Sequence, residues 1–541
     1  MSRTISRSIA AAGVLVLLCV VCLLFAHPRY SLETLVGDDA GYYLAVSRSA
    51  ALGHGYSFDR LHATSGFNPL LPWILVPAFR LLPTTASLLM YYRIAAVSGV
   101  LAMLAGLWAF QRGIAIAAEA RGVRTDASRF VLSASAFLYC SFIATKSYYG
   151  MDAFLVLALG GPYLLRVARQ GLDGSIRKAL VDGALLGLLF LARVDSAVLI
   201  AASLGLGIVR VAVRRDGLAS LLVRTGVVAA LAAPMVIGNA SRFGHWLPIS
   251  AALKTSFPAV HPGQSMNAIL HTSLNAADQA TFALAYLLAW GVAAVIVRDL
   301  ARGRGAPWLE AQRVALALYT LYVVGRLTFL LLFSRFDVQG SYAILVQPYI
   351  VVVLVLAAGR RVGSPDERAR ARAFVWLGSA LTLVAAVLLA GKCEATWRKW
   401  RLLERAGFVD EYTLASEIRA RTAPGDVIYG GAYGLIGFFA DRPWINGDGV
   451  ANDYVYQRVV HENRLPAYLA ENHVRYVSLV WPHGQPFPPG GIEMMAESHL
   501  YGGRAAYRTT TDDVVVRQPT LRNVTQDVCL VRYSPWSHRQ R

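Results

Sequence analysis

Long apolar runs recur along this chain, each followed by a short polar connection. A transmembrane helix needs about 20 mainly apolar residues. The pattern predicts eleven spans, at approximately 9–26, 85–110, 130–147, 152–168, 179–193, 195–213, 218–238, 279–297, 314–333, 341–359 and 373–391. Residues 70–83 (LLPWILVPAFRLLP) are apolar too, but prolines interrupt them, so they read as a re-entrant or interfacial piece. The first run follows a basic head, as in a signal peptide. It continues past Cys22 without a small-residue cleavage site and reads as a retained helix.

Polar connections alternate in character. Taking Arg3 and Arg7 as cytoplasmic, the connections Arg112–Arg129, Arg166–Lys178, Arg210–Arg215, Arg298–Arg313 and Arg360–Arg372 fall inside, all short and Arg-rich. The opposite set is poorer in Lys and Arg for its length. It comprises the first outer loop 27–84, YYGMD at Met151, the Arg193/Asp195 junction, the loop 239–278 and SRFDVQG at Asp337. This asymmetry is the positive-inside pattern. An odd number of spans then exports the tail, and the unusual polar clusters gather on the outer face. The expected location is a bacterial inner (plasma) membrane, with those clusters facing the periplasm or exterior.

After Lys392 the pattern becomes that of a soluble mixed α/β domain. GDVIYGG, RPWING, VRYVSLVW, DDVVV and DVCLVRY read as strands, and Asp453 to Asn472 has helical periodicity. The expected division is a transmembrane domain over 1–392 and an extracytoplasmic domain over 393–541. Aromatic residues are dense between Tyr429 and Tyr456, where core packing is the better reading and sugar stacking the rival one.

Composition agrees with a membrane chain. Of 541 residues, 56% are hydrophobic and 16% charged, against about 25% charged in soluble proteins. The net charge of +19 does not point to nucleic acid, because so much of it lies in the short inner connections. Zinc-finger spacing and a Walker loop are both absent. Five cysteines show no metal-ligand spacing; Cys19, Cys22 and Cys140 lie in apolar runs, while Cys393 and Cys529 fall in the exported tail, where they could pair.

The candidate chemistry centres on residues 37–71, GDDAGYYLAVSRSAALGHGYSFDRLHATSGFNPLL. Ionisable groups at a membrane edge are costly and mark function by default. A carboxylate there, partly desolvated, would serve as a base toward an attacking hydroxyl. Asp38 or Asp39 could equally cap the following helix, and both roles can coexist. His54, His62 and Asn68 lie in the same loop; Asp152 and Asp195 stand at outer helix ends, where capping or ion pairing competes with function.

The order of these pieces resembles the GT-C superfamily of membrane glycosyltransferases, closest to bacterial polyprenyl-phosphate-sugar-dependent, arabinofuranosyltransferase-like members. The resemblance rests on DDAGYYLAVSRSAALGHGYSF with HATSGFNPLLP, then YYGMDAFL, FLARVDSAVL, NASRFGHWLPISAALKTS and YGLIGFFADRPWINGDGVAND. It implies GT-C architecture, a polyprenyl-phosphate sugar donor bound from the membrane lipid, and a glycan, glycolipid or protein acceptor. The catalytic base falls on Asp38 or Asp39, with Asp38 favoured. A divalent cation held by the two acids is left open as their alternative use. Leaving phosphate needs a positive clamp, for which the outer-face candidates are Arg48, Arg193, Arg242, Lys254 and Arg335, with Arg193 and Lys254 foremost. His54, His62, Asn68, Asp152 and Asp195 are candidates for the acceptor or loop site. Two rival classes are a transporter or flippase of lipid-linked sugars and a non-catalytic glycan-binding envelope protein. Transporters favour internal repeats and midplane charges, and neither stands out here.

Overall fold

The computed structural model describes residues 3–533 apart from 84, 120–125, 145, 147, 173–174, 215–216, 262–264, 266–275, 303–309, 336–337, 361–366, 406–407, 432, 489–490, 499, 502–503, 512 and 521–522. Asp337 therefore lies outside the described residues. The membrane half consists of α1 (Arg3–Phe25), α2 (Pro28–Leu35), α3 (Asp39–Ala51), α4 (Leu70–Arg80), α5 (Leu88–Glu119), α6 (Asp126–Ala144), α7 (Ala153–Gln170), α8 (Ile176–Ala192), α9 (Ala197–Arg214), α10 (Leu218–Phe243), α11 (Ile249–Lys254), α12 (Ala276–Ala301), α13 (Ala311–Phe333), α14 (Gln347–Arg360) and α15 (Glu367–Arg405). Each of the eleven expected spans coincides with one of these helices, and among the described residues eight are long and apolar enough to cross a membrane. The proline-broken segment forms the short helix α4, with Pro77 inside it.

Helices pack through small residues, as expected where lipid supplies no hydrophobic drive. On α8, a β-carbon at Gly183 or Gly187 would sit under 3 Å from Val227 or Leu231 of α10, so these two helices meet at glycine. Helices α1 and α15 both pack on α6, and α5 packs on α7.

The last span does not end where the composition changes. Helix α15 is 39 residues long, or about 58 Å at 1.5 Å per residue, roughly twice the hydrocarbon thickness. It runs past Lys392 as a stalk, and Lys392 and Lys399 hydrogen-bond the carbonyls of Thr34 (2.6 Å) and Glu33 (3.0 Å) on α2.

Beyond the stalk lie α16 (Glu411–Arg421), β1 (Val427–Gly430), α17 (Gly434–Ala440), β2 (Trp444–Asn446), α18 (Tyr454–His461), α19 (Leu465–Glu471), β3 (Val474–Pro482), β4 (Ile492–Glu497), β5 (Arg504–Thr509), β6 (Val514–Thr520) and β7 (Asn523–Arg532). The sheet order is β2-β1-β3-β7-β6, parallel among the first three and antiparallel thereafter, with β4–β5 as a separate hairpin. The expected strands are all present; the hairpin and α17 carry no strong periodic signal and were not expected. Trp444 is buried, and the Tyr429 and Tyr456 hydroxyls meet at 2.9 Å in the interior, so these aromatics are core. All five cysteines are free thiols: Cys393 is exposed on α15 and Cys529 is buried in β7, so the two do not pair. Burial pushes the Cys529 thiol up to about 12.

The two halves share one hydrophobic core, in which Leu435, Phe438 and Phe439 of α17 join Tyr42, Phe58 and Tyr92 of the membrane half. Contact at the α3–α17 crossing is backbone to backbone. A β-carbon on Gly434 would lie 2.3 Å from the Asp38 carbonyl oxygen, and one on Gly41 would lie 2.0 Å from the Gly434 carbonyl carbon.

Candidate functional site

A cavity of about 360 Å³ opens where the loop before α4, the α8–α9 junction, α11 and the C-terminal half converge. Asp39, in the first turn of α3, lines it, as do Asn68, Asp152, Arg193, Asp195 and Lys254. Six residues far apart in sequence thus share one wall system.

Its floor is a bonded charge network. The Tyr43 hydroxyl donates to Asp152 Oδ2 at 2.7 Å, and Asn68 Nδ2 donates to the same oxygen at 2.6 Å. Asn68 Oδ1 accepts the Val194 N–H at 3.3 Å, tying the loop to the α8–α9 junction. Arg193 lies 3.5 Å from Asp152 and bonds Asp195 through Nε (3.3 Å) and a terminal nitrogen (3.0 Å). Arg326, buried within α13, also donates to Asp195, and its Nε donates to the Tyr342 carbonyl at 2.8 Å. A buried charge persists only when paired and hydrogen-bonded, and this network meets that condition. Burial, reinforced by Asp152, holds the Tyr43 phenol well above its ordinary value, so it stays a donor.

Lys254 differs from the two arginines. Among the described residues it has no carboxylate within ion-pair distance, and its ammonium rests over the Tyr342 ring, 5.5 Å from the centroid. Burial opposes its charge, but Tyr342 and Asp39 outweigh burial and hold it above the ordinary lysine value. The cavity therefore carries a protonated ammonium, hydrogen-bonded with Tyr342 and in electrostatic reach of the Asp39 carboxylate. Arg193 also lies over the Tyr342 ring, 5.3 Å from its centroid.

The structure separates the two adjacent acids. Asp38 occupies the N-cap position of α3 without a side-chain capping bond; its Oδ1 instead accepts the Leu435 N–H of α17 at 3.1 Å. Arg48 lies away from the cavity, paired with Asp441 at 2.8 Å beside Arg60, which bonds the same carboxylate. Arg335 bonds Lys254 through its backbone N–H, at 3.1 Å to the carbonyl, and Arg242 lies in the last turn of α10. Neither of these two lines the cavity. His54 is exposed in the turn after α3. His62 sits at the interface, 2.7 Å from Asp59 and stacked on Tyr468 of the C-terminal half. Hydrogen bonding to Asp59 raises its pKa.

No described group of three or more acids, histidines or cysteines could hold a metal ion. Asp38 Oδ1 accepts the Leu435 N–H, whereas Asp39 lines the cavity.

No family model matches the sequence, and no curated protein matches it. Among solved structures, the chain is similar to ArnT from Cupriavidus metallidurans, solved bound to undecaprenyl phosphate. The TM-score is 0.53 with 13% identity, covering 98% of each chain. The chain has the GT-C fold. The archaeal oligosaccharyltransferase AglB from Archaeoglobus fulgidus, in complex with an inhibitory peptide and a dolichol-phosphate, is similar over 88% of this chain and 70% of its own. There the TM-score is 0.48 and the identity 13%.

Within this GT-C fold, sequence reasoning passed over three cavity residues, of which only Arg326 carries a signal. Arg326 interrupts a 23-residue apolar helix, which by itself marks a paired or functional charge. Tyr43 lies beside the acid pair, but nothing local distinguishes it from a packing residue. Tyr342 enters from a connection whose position depends on the bundle, and it has no sequence signature.

Proposed function

We propose that this protein is a multi-pass membrane glycosyltransferase that moves one sugar from a polyprenyl-phosphate donor to an acceptor hydroxyl, with Asp39 as the base. The acceptor oxygen attacks the anomeric carbon, its proton passes to the Asp39 carboxylate, and the bond to the phosphate oxygen breaks. Polyprenyl phosphate departs with its charge countered by Lys254 and Arg193. Lys acts as a point charge and Arg as a planar fork, which suits a phosphate with several oxygens. The reading extends to a bacterial inner-membrane protein acting on the exported face, because the Arg-rich connections take the other side.

One observation carries the proposal. Asp39 and Lys254 line the same cavity, with Asp39 acting on the charge of Lys254, so base and phosphate cation stand across one space. The test is release of polyprenyl phosphate by purified, reconstituted protein offered radiolabelled polyprenyl-phosphate sugars. Asp39→Asn should lower release by about 10²-fold or more while leaving the protein folded. Release by Asp39→Asn at the native rate removes Asp39 as the base.

A further inference from the structure

Several aromatic rings line the cavity, and all but one of them are engaged within the protein. Tyr42 packs on Phe58 and accepts a hydrogen bond from Asn446 at 2.9 Å. Tyr43 donates to Asp152, and the Tyr342 ring has Lys254 and Arg193 over it. Phe67 meets Tyr56, while Phe257 and Phe329 meet each other and Phe333. Phe190 packs into two apolar clusters of the membrane half. The exception is Trp246, which lines the cavity and is 57% exposed. Among the described residues its indole makes no ring contact, and its Nε1–H has no acceptor.

The backbone on either side of Trp246 is tied down. Helix α10 ends at Gly244, which takes φ +72°, and α11 begins after Pro248. Between them the His245 ring stacks on Tyr454 of α18, with centroids 3.9 Å apart, and the Tyr454 hydroxyl donates to the Leu247 carbonyl at 2.8 Å. The Ile249 N–H donates to the Ser65 hydroxyl, in the loop before α4, at 3.2 Å. Interfacial tryptophans commonly anchor a helix end in lipid. Here both neighbours of Trp246 are instead held by the C-terminal half, and the indole stands in the cavity. Ser250, Ala251 and Lys254 line that cavity from one face of α11, and Trp246 and Leu247 continue the same face. The segment that presents the phosphate cation therefore also presents an unengaged aromatic surface.

We propose that Trp246 is a stacking platform for a saccharide ring bound in this cavity, with its Nε1–H donating to a hydroxyl at the ring's edge. This rests on the transferase reading above, which brings a sugar into the same space as Lys254 and Asp39.

The chemistry of the two surfaces matches. A sugar ring is polar around its rim, where the hydroxyls lie, and carries C–H bonds on its faces. An indole has a negative π face to meet those C–H bonds and a single donor at its own edge to meet a hydroxyl. It offers this area with few rotatable bonds to fix. A polyprenyl chain would use the apolar area but not the donor, and a phosphate is repelled by the negative face. Of the parts of a lipid-phosphate-sugar reaction, the saccharide is the one that uses both features of the side chain.

The experiment uses reconstituted protein, polyprenyl-phosphate sugars and a panel of octyl hexosides and pentosides as acceptors. It reads KM for the donor, KM for the acceptor, and the inhibition constant of polyprenyl phosphate carrying no sugar. Trp246→Leu keeps apolar bulk and loses both the π face and the donor. It should raise one KM about three- to ten-fold, the value of an aromatic contact, and leave the inhibition constant unchanged. A rise in donor KM assigns the platform to the transferred sugar, and a rise in acceptor KM assigns it to the acceptor's ring. Trp246→Phe, with a smaller face and no donor, should fall between Leu and the native residue. If Trp246→Leu does not fold, Trp246→Phe is judged by the same constants. Native values for both KM overturn the inference, since an indole that only anchors the turn in lipid is replaced by leucine without effect on either. A parallel rise in the inhibition constant also overturns it, because the contact is then with the lipid. In both cases release of polyprenyl phosphate by the native protein still upholds the transferase reading. If the native protein releases none with any acceptor, both readings fall.

Discussion

The carboxylate of Asp38 accepts the backbone N–H of Leu435, 397 positions away, at 3.1 Å. An acid beside the candidate base thus caps a helix of the other half of the molecule, where a helix N-terminus favours negative charge. Its neighbour Asp39 turns into the cavity. Exchange of one residue for the next along α3 changes the role from docking to chemistry.

The two acids should therefore separate on mutation. Asp39→Asn is expected to lower turnover by about 10²-fold or more, the usual contribution of a general base, with little change in thermal unfolding. Asp38→Ala should cost about 1 kcal/mol of stability, the value of a lost cap. Side-by-side turnover and unfolding measurements check this; equal turnover losses with equal destabilisation would contradict it.

Lys254→Ala should weaken donor binding about ten-fold or more, the value of a charge-assisted bond, while Lys254→Met keeps the stem and loses the same amount. Steady-state KM for the polyprenyl-phosphate sugar is the measurement. Native donor KM in both variants would leave Arg193 as the phosphate cation.

Gly434→Ala tests the crossing of α3 and α17. Its β-carbon would meet backbone atoms, which cannot swing aside as a side chain can. A cost of about 1–3 kcal/mol or more is expected, read as a lowered unfolding temperature and increased protease cleavage of the C-terminal half. Gly431→Ala, where nothing lies within 4 Å, is the control and should be tolerated.

His62 gives a pH-dependent contribution of defined sign. Its folded pKa is raised, chiefly by the Asp59 hydrogen bond. Its stabilisation is therefore complete below the ordinary histidine value of about 6.5 and is lost as pH rises through the raised value. The unfolding-temperature gap between native protein and His62→Gln should be larger near pH 6 than near pH 9. A gap independent of pH would show that stacking on Tyr468 is the whole contribution.

Asp441 behaves oppositely. Despite burial, hydrogen bonding from Arg60 and the charge of Arg48 hold its carboxyl below the ordinary range. Its contribution is present above the ordinary carboxylate pKa and is lost as pH falls through the lowered one. Asp441→Asn should lower the unfolding temperature at neutral pH and narrow that difference in strong acid, by the same linkage.

Much of this architecture was legible in the chain, for a local reason. Water exclusion from a bilayer forces long apolar runs with paired backbones, so span positions follow from residues 9–391 taken window by window. Strands such as VRYVSLVW were legible in the same way. The end of the last span was not: composition changes at Lys392, but backbone hydrogen bonding continues to Arg405 because the side chains after it still suit a helix.

The gathering of Asp39, Asn68, Asp152, Arg193, Asp195 and Lys254 was legible only as a list of separate candidates. By itself the sequence determined the membrane-spanning pattern and the acid pair as the place to look, since each depends on periodicity and charge within short windows. Tertiary structure alone decided which acid meets the cavity and that Arg48 braces Asp441. Those outcomes depend on how α3 and α17 meet at Gly41 and Gly434, a contact between segments nearly 400 residues apart that no local pattern encodes.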